Sequence, residues 1–336
     1  MKQEQFVARH QQEWLALEQW LARAPTRRRR RRQAPAAATP SNVPVLEDAA
    51  FPQHYRRLCQ QLALARERGY SPQLVARLQQ LMQQGHTALY RTPPFSWRTA
   101  LAFLLAGFPR LVRSQAGSMW TALAMFAVPL IASFVLVQLK PELIHLLMDN
   151  ARITEMERMY DPAAERLGRD SGTDWMMFGY YIMNNISIGL RTFALGLLAG
   201  VGTIAVMLFN GVGIGAVAGH LQHIGHGGPF WQFVVGHGSF ELTAIVIAGG
   251  AGLQLGMRVL APGRQRRIDA LVDGGRIGAR LCLGVAAMLL AAAFIEAFWS
   301  SIASVPAWIK FSVAGVLWTL VLGWLALGGR GGTHAD

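Results

Sequence analysis

Two cysteines in 336 residues, Cys59 in a polar N-terminal stretch and Cys282 at the edge of an apolar run, exclude a disulfide framework and a cysteine-based zinc cluster. A phosphate-binding glycine loop is missing as well, so energy from ATP would have to arrive through a partner. No serine sits in a nucleophile elbow, and neither an H-E-x-x-H motif nor a two-aspartate arrangement occurs, which argues against protease chemistry. Charge is scarce at 15% of residues, and the acidic share is the smaller: 19 Asp and Glu against 32 Lys and Arg. No short apolar segment with a cleavage site follows Met1, so the first ~115 residues are expected to stay on the side of synthesis.

What is present is apolar. The chain is 52% hydrophobic, with a mean hydropathy of +0.26. Its apolar residues gather in runs near the ~20-residue length that spans a ~30 Å hydrocarbon core, which predicts an all-α polytopic membrane protein. A net charge of +13 suggests nucleic acid until it is divided by region. Residues 1–116 hold 18 basic against 6 acidic residues, 140–185 hold 5 against 8, and 258–280 hold 6 against 2. Charge follows sidedness: the N-terminal region, the 258–280 loop and the C-terminus are expected in the cytoplasm, 140–185 outside, and the protein in a bacterial inner membrane. Nucleic acid is not expected as a partner.

Phe6, His10, Trp14, Leu17 and Leu21 share one helical face, predicting an amphipathic helix over 1–24 that ends before Pro25. Residues 25–50 read as a flexible Arg/Pro-rich linker. Its arginines, Arg27, Arg28, Arg29, Arg30, Arg31 and Arg32, suit anionic membrane-lipid headgroups at about 1 kcal/mol per near-surface charge; a solvated linker without a specific ligand is the other reading. Residues 51–116 read as a cytoplasmic helical hairpin, with Ser71 as N-cap and Pro72 in the first helical position. An amphipathic interfacial segment from Trp97 to Arg113 follows it. The membrane domain is placed at 117–328, with an acidic extracytoplasmic helical segment at 140–185, and 329–336 forms a tail.

Spans are expected at about 117–139, where Pro129 is a candidate kink, then at 186–209, a short 212–221, 240–260, 281–298 and 309–327. Sidedness requires an odd number of crossings between 185 and 258. Three crossings give six spans, with the second and third joined at Asn210; one gives four spans plus a re-entrant hairpin from 211 to about 250.

Polar side chains recur within these runs: Asn184, Asn185, Asn210, His237, Glu241 and Glu296. A central carboxylate in lipid costs about 2.5–3.5 kcal/mol on insertion scales, so such groups face a bundle interior, water or each other. His237 and Glu241 lie one turn apart on a helix and are able to share a proton or hydrogen bond. Three readings stand: a packing network, an ion or substrate path, and a metal site. His220, His223 and His226 are spaced by three, which drifts around a helix and favours interfacial hydrogen bonding over metal binding. Gly196 and Gly200, then Gly211, Gly215 and Gly219, then Gly252 and Gly256 match the small-x-x-x-small spacing that lets helices approach closely.

The chain resembles the stage II sporulation protein M family of bacterial membrane proteins, in its longer Gram-negative form. The resemblance rests on Asn184-Asn185-Ile186, the F-A-L-G-L-L-A-G-V-G-T run at 193–203, Asn210-Gly211, H-G-x-x-E-L at 237–242, A-G-L-Q-L-G at 251–256, Pro262-Gly263 and Ile295-Glu296. Upstream, Phe6, Trp14, Leu17 and Glu18, and the pattern from Tyr55 to Tyr70, resemble the family's cytoplasmic region. Gly236 stands where proline is usual, and the 25–50 linker interrupts the pattern. The resemblance implies a membrane-embedded partner of separate peptidoglycan hydrolases, or of other membrane proteins and a MoxR-type ATPase. The expected function is a non-enzymatic scaffold or anchor in an envelope-remodelling assembly, homo-oligomeric and without cofactor or bound metal. A channel or transporter using the polar cluster is the first alternative, and an intramembrane metal-dependent enzyme the second.

Overall fold

A computed structural model describes residues 2–30, 46–90, 96–169 and 172–331. Every regular element among them is helical. The chain divides into two compact units, 1–95 and 96–336.

In the first unit, α1 (Gln3–Arg30), α2 (Phe51–Glu67) and α3 (Pro72–Tyr90) surround one core. Phe6, Trp14 and Leu17 of the predicted face are buried there, against Leu58 and Leu62 of α2 and Leu74, Leu78 and Leu81 of α3. Trp14 brings its indole N–H into that core and donates it to Gln61 Oε1 at 2.6 Å, while the Gln61 amide donates to Glu13 at 2.9 Å. The buried donor is thereby satisfied. Ser71 precedes α3 as expected, yet its hydroxyl accepts from the Gln3 side chain at 3.0 Å and so ties α1 to the α2–α3 turn. The helix predicted to end before Pro25 continues to Arg30. Alanine and arginine are strong helix formers, and the run from Ala22 carries the backbone past the proline. Arg31, Arg32 and the linker to residue 45 lie outside the described residues.

The second unit begins earlier than 117. α4 (Trp97–Ala102), a π-helical turn at Phe103–Gly107 and α5 (Phe108–Ser114) belong to it. The segment grouped in sequence with the hairpin packs into the bundle because Phe108 is fully buried against Trp324 and Gly284, and Arg113 donates to the carbonyls of Leu325 and Gly328. α6 (Ala116–Leu139) runs unbroken through Pro129. After it come α7 (Ile144–Leu147) and α8 (Asn150–Met159), the latter capped by Asp149, which accepts from Arg152 N at 2.8 Å. The predicted excursion 140–185 ends earlier, because α9 (Asp174–Ala194) starts at its Thr173 cap.

The remaining elements are α10 (Val201–His223), α11 (Gly227–Leu260), α12 (Arg267–Ile295) with a π-helical turn at Glu296–Ser300, and α13 (Ala307–Leu327). The expected spans 186–209 and 212–221, joined at Asn210, are corrected. The break falls at 195–200, where Ala199 and Gly200 have positive φ, and Asn210 sits inside α10. Gly211, Gly213 and Gly215 in a continuous apolar segment do not stop a helix that packs closely on a neighbour. The expected span 240–260 is likewise the latter part of α11, whose 34 residues begin at Gly227. No re-entrant hairpin occupies 211–250 among the described residues.

Among the described residues five helices are long and apolar enough to cross a membrane, against the six spans expected: α6, α10, α11, α12 with its π turn, and α13. Helix directions show how the chain runs back along the bundle. Gly211, Gly215 and Gly219 of α10 meet Phe126, Leu130 and Phe134 of α6 in ascending order, so these two helices run parallel. The chain must return between them, and α9 makes that return: 21 residues, about 31 Å at 1.5 Å per residue. Its residues 185, 189 and 193 descend along 296, 289 and 278 of α12. One end of the bundle carries residues 140–169 and 301–306, joined where Leu167 N donates to Ser301 O at 3.0 Å. The other gathers Arg113, the turn at 195–200, the 261–266 loop and Gly328.

The α6–α10 contact is tested by two alanine substitutions two residues apart on α10. A Cβ at Gly215 would overlap the Leu130 carbonyl, whereas Gly213 opens onto empty space. Gly215→Ala is expected to lower the thermal midpoint of the detergent-solubilised protein through overpacking, at a cost of about 1–3 kcal/mol. Gly213→Ala is expected to hold or raise it. Equal effects would rule out this packing.

Candidate functional site

The polar residues read from sequence divide into those that meet and those that do not. His237 and Glu241 lie one turn apart on α11, their Nε2 and Oε2 atoms 3.7 Å from each other. No turn precedes His237, because α11 is continuous there; Gly236 occupies the face packed near Ile295 and Ser300. Glu296 opens the π turn of α12, and its carboxylate lies within 4.8 Å of the ligand atoms of His237 and Glu241. Such turns insert an extra residue into the helix and re-aim the side chains that follow. Asn185 of α9 reaches across and donates to Glu296 Oε2 at 3.4 Å. Four side chains from three helices thus converge. Asn185, His237 and Glu296 are more than nine-tenths buried, and Glu241 is partly open.

Asn184 and Asn210 are corrected. Asn184 is exposed and donates sideways to Asn185 Oδ1 at 3.0 Å. Neighbours on a helix point about 100° apart, so both amides cannot face the same partner. Asn210 lies on α10 and donates back to Val206 O at 2.8 Å, closing on its own helix. The glycines sit at close contacts instead. Gly196 and Gly200 approach Gly252 and Gly256, at distances a Cβ would obstruct. Gly200, with φ +83°, also makes the turn into α10. Thr203 Oγ1 donates to Thr192 O at 2.7 Å and fixes the same joint.

Two members were missed in the sequence. Ser300, at the end of the π turn, holds His237 Nδ1 at 3.0 Å. Lys310 of α13 is 1% exposed and donates to the Ser300 carbonyl at 2.9 Å. A lone lysine in an otherwise apolar span was the signal for the second; a serine four residues beyond Glu296 gives none until the π turn is known.

At the end carrying residues 140–169, Glu157 of α8 joins two of the histidines. Its carboxylate lies 2.7 Å from His220 Nε2 and its carbonyl 3.2 Å from His226 Nδ1. Through His220 and His226, α8 is hydrogen-bonded to the end of α10 and the start of α11, while His223 is exposed. Asp174 accepts from Arg169 and lies 3.6 Å from Arg166, fixing the start of α9. Tyr160 packs edge-on against Phe230 and Phe233, and burial pushes its hydroxyl well above the usual phenol range, so it stays protonated.

A family model described as Stage II sporulation protein M matches residues 122–301, from within α6 to the end of the π turn. A model described as a domain of unknown function (DUF8413) matches residues 4–91. No curated protein and no solved structure matches the chain.

The geometry separates the two asparagines. Asn185→Leu leaves the buried Glu296 without its amide donor and is expected to cost about 1–3 kcal/mol in the thermal stability of the solubilised protein. Asn184→Leu, at an exposed position, is expected to change it by far less. A larger loss at 184 than at 185 would show that the amide facing Glu296 is not the structural one.

Proposed function

The chain belongs to the stage II sporulation protein M family, whose model matches it over residues 122–301, and on that premise we propose that it is a non-enzymatic membrane scaffold or anchor in a bacterial envelope-remodelling assembly. The observation that carries this reading is the division of the molecule: a polytopic bundle, and a helical unit with a hydrophobic core of its own. Such a unit suits the docking of a partner, while the bundle supplies attachment. Partners of the proposed kind are envelope hydrolases, other membrane proteins or a MoxR-type ATPase, and further copies of the chain. Arg27–Arg32 fit anionic lipid headgroups near the membrane surface.

Sidedness supports an inner-membrane placement with both termini cytoplasmic. Arg258, Arg264, Arg266 and Arg267 lie at the end that also holds Arg113, while Glu142, Asp149, Glu155 and Glu157 lie at the opposite end. By the positive-inside rule the arginine end faces the cytoplasm. With Cys59 and Cys282 replaced, Ala164→Cys is expected to react with an impermeant thiol reagent in spheroplasts, and Gly263→Cys only after lysis. The reverse pattern would invert the orientation.

The convergence of His237, Glu241 and Glu296 favours a second reading, conduction of protons or cations. Proteoliposomes holding the wild-type protein are expected to be silent for proton and monovalent-cation flux. Flux above empty vesicles that disappears in Glu241→Gln would replace the scaffold reading with the second.

A further inference from the structure

His237, Glu241 and Glu296 bring one imidazole nitrogen and two carboxylate oxygens within 4.8 Å of one another in the helical bundle. We propose that these three side chains bind one divalent transition-metal ion, with Zn2+ the best match, and leave a coordination position for water or another small ligand. This goes beyond the anchor reading and does not depend on it.

The donor set selects the ion class. One imidazole with two carboxylates suits zinc and its first-row neighbours, whereas magnesium and calcium favour oxygen alone. Zinc ligands at about 2.0–2.2 Å stand about 3.4 Å from one another in a tetrahedron. His237 Nε2 and Glu241 Oε2 are already 3.7 Å apart. Glu296 on α12 lies within 4.8 Å of both, a gap of about 1.4 Å at most over the tetrahedral spacing.

The surroundings orient the ligands as metal sites require. Ser300 Oγ engages His237 Nδ1 at 3.0 Å and leaves Nε2 for the ion. Asn185 donates to Glu296 at 3.4 Å. The buried cation nearest in sequence, Lys310, is turned to the Ser300 carbonyl. Among the described residues neither carboxylate pairs with a lysine or arginine. Two carboxylates at this separation cannot both stay ionised without a proton or a cation between them.

An independent observation points the same way. Tyr181 is 6% exposed, yet its hydroxyl has no hydrogen-bond partner among the described residues. It lies one turn before Asn185 on α9, and its side chain packs with Phe233, one turn before His237, and with Ala293 and Ala297, which flank Glu296. An orphaned phenol in the packed cluster that includes the residue after Glu296 and the one a turn before His237 is suited to hydrogen-bond a water or ligand held on the ion.

The test is metal content of the full-length, untagged protein purified in detergent without chelators, read by inductively coupled plasma mass spectrometry before and after dialysis against Zn2+, Mn2+ or Fe2+. Co2+ replacement is read by its visible absorption. The expected result is about one ion per chain, reduced at least tenfold in His237→Gln and in Glu296→Gln, and unchanged in His220→Ala at the separate Glu157 contact. Ser300→Ala keeps all three ligands and is expected to weaken Co2+ affinity about 10–100-fold, so the proposal stays testable where a ligand variant fails to fold. Monodisperse wild-type protein that takes up none of the three metals would overturn the proposal and leave a proton shared between the carboxylates. So would metal content indifferent to Glu296→Gln, loss of the ion in His220→Ala, or unaltered Co2+ affinity in Ser300→Ala.

Discussion

Helices in lipid gain little from burying apolar side chains on one another, because the lipid tails are as apolar as leucine, and their association rests on short-range van der Waals contact. In this bundle that contact is made at glycine. Gly211, Gly215 and Gly219 seat α10 against the backbone of α6, and Gly196, Gly200, Gly252 and Gly256 seat the 195–200 turn against α11. A Cβ at most of these positions would meet a backbone atom of the neighbouring helix, which has no way to step aside. Helix directions follow from the same contacts, since a parallel α6 and α10 oblige α9 to run back between them.

The polar site is a consequence of that arrangement. α9, α11 and α12 lie close enough for Asn185, His237, Glu241 and Glu296 to meet, and the π turn at Glu296–Ser300 directs both a carboxylate and a hydroxyl inward. Each contact within it costs desolvation that only its partners offset. The site also lies near the end of the bundle where residues 160–169 and 301–306 meet.

The N-terminal unit follows different physics. It has a core of its own, with Trp14 and Phe6 fully buried and the Trp14 indole N–H satisfied by Gln61. Its exposed faces are rich in Gln and Arg, and neither the hydropathy nor the glycine spacing of the bundle extends into it. A helical module with its own core joined to a polytopic bundle is the division on which the anchor proposal rests.

By itself the sequence determined the class of protein. Apolar runs of spanning length, the segregation of arginine from acidic residues and the H-G-x-x-E-L and glycine motifs marked an all-α membrane chain, its family and the one-turn pairing of His237 with Glu241. Length, composition and helical periodicity are local quantities, legible without coordinates. Tertiary structure decided the rest. It moved the break from Asn210 to Gly200, extended α9 along the bundle beside α12, and sent Asn184 and Asn210 away from the cluster while bringing in Ser300 and Lys310. Those outcomes depend on which helix lies beside which and in what direction, and on a π turn that shifts the register of α12. A glycine that would end a helix in water continues one when a neighbouring backbone rests on it.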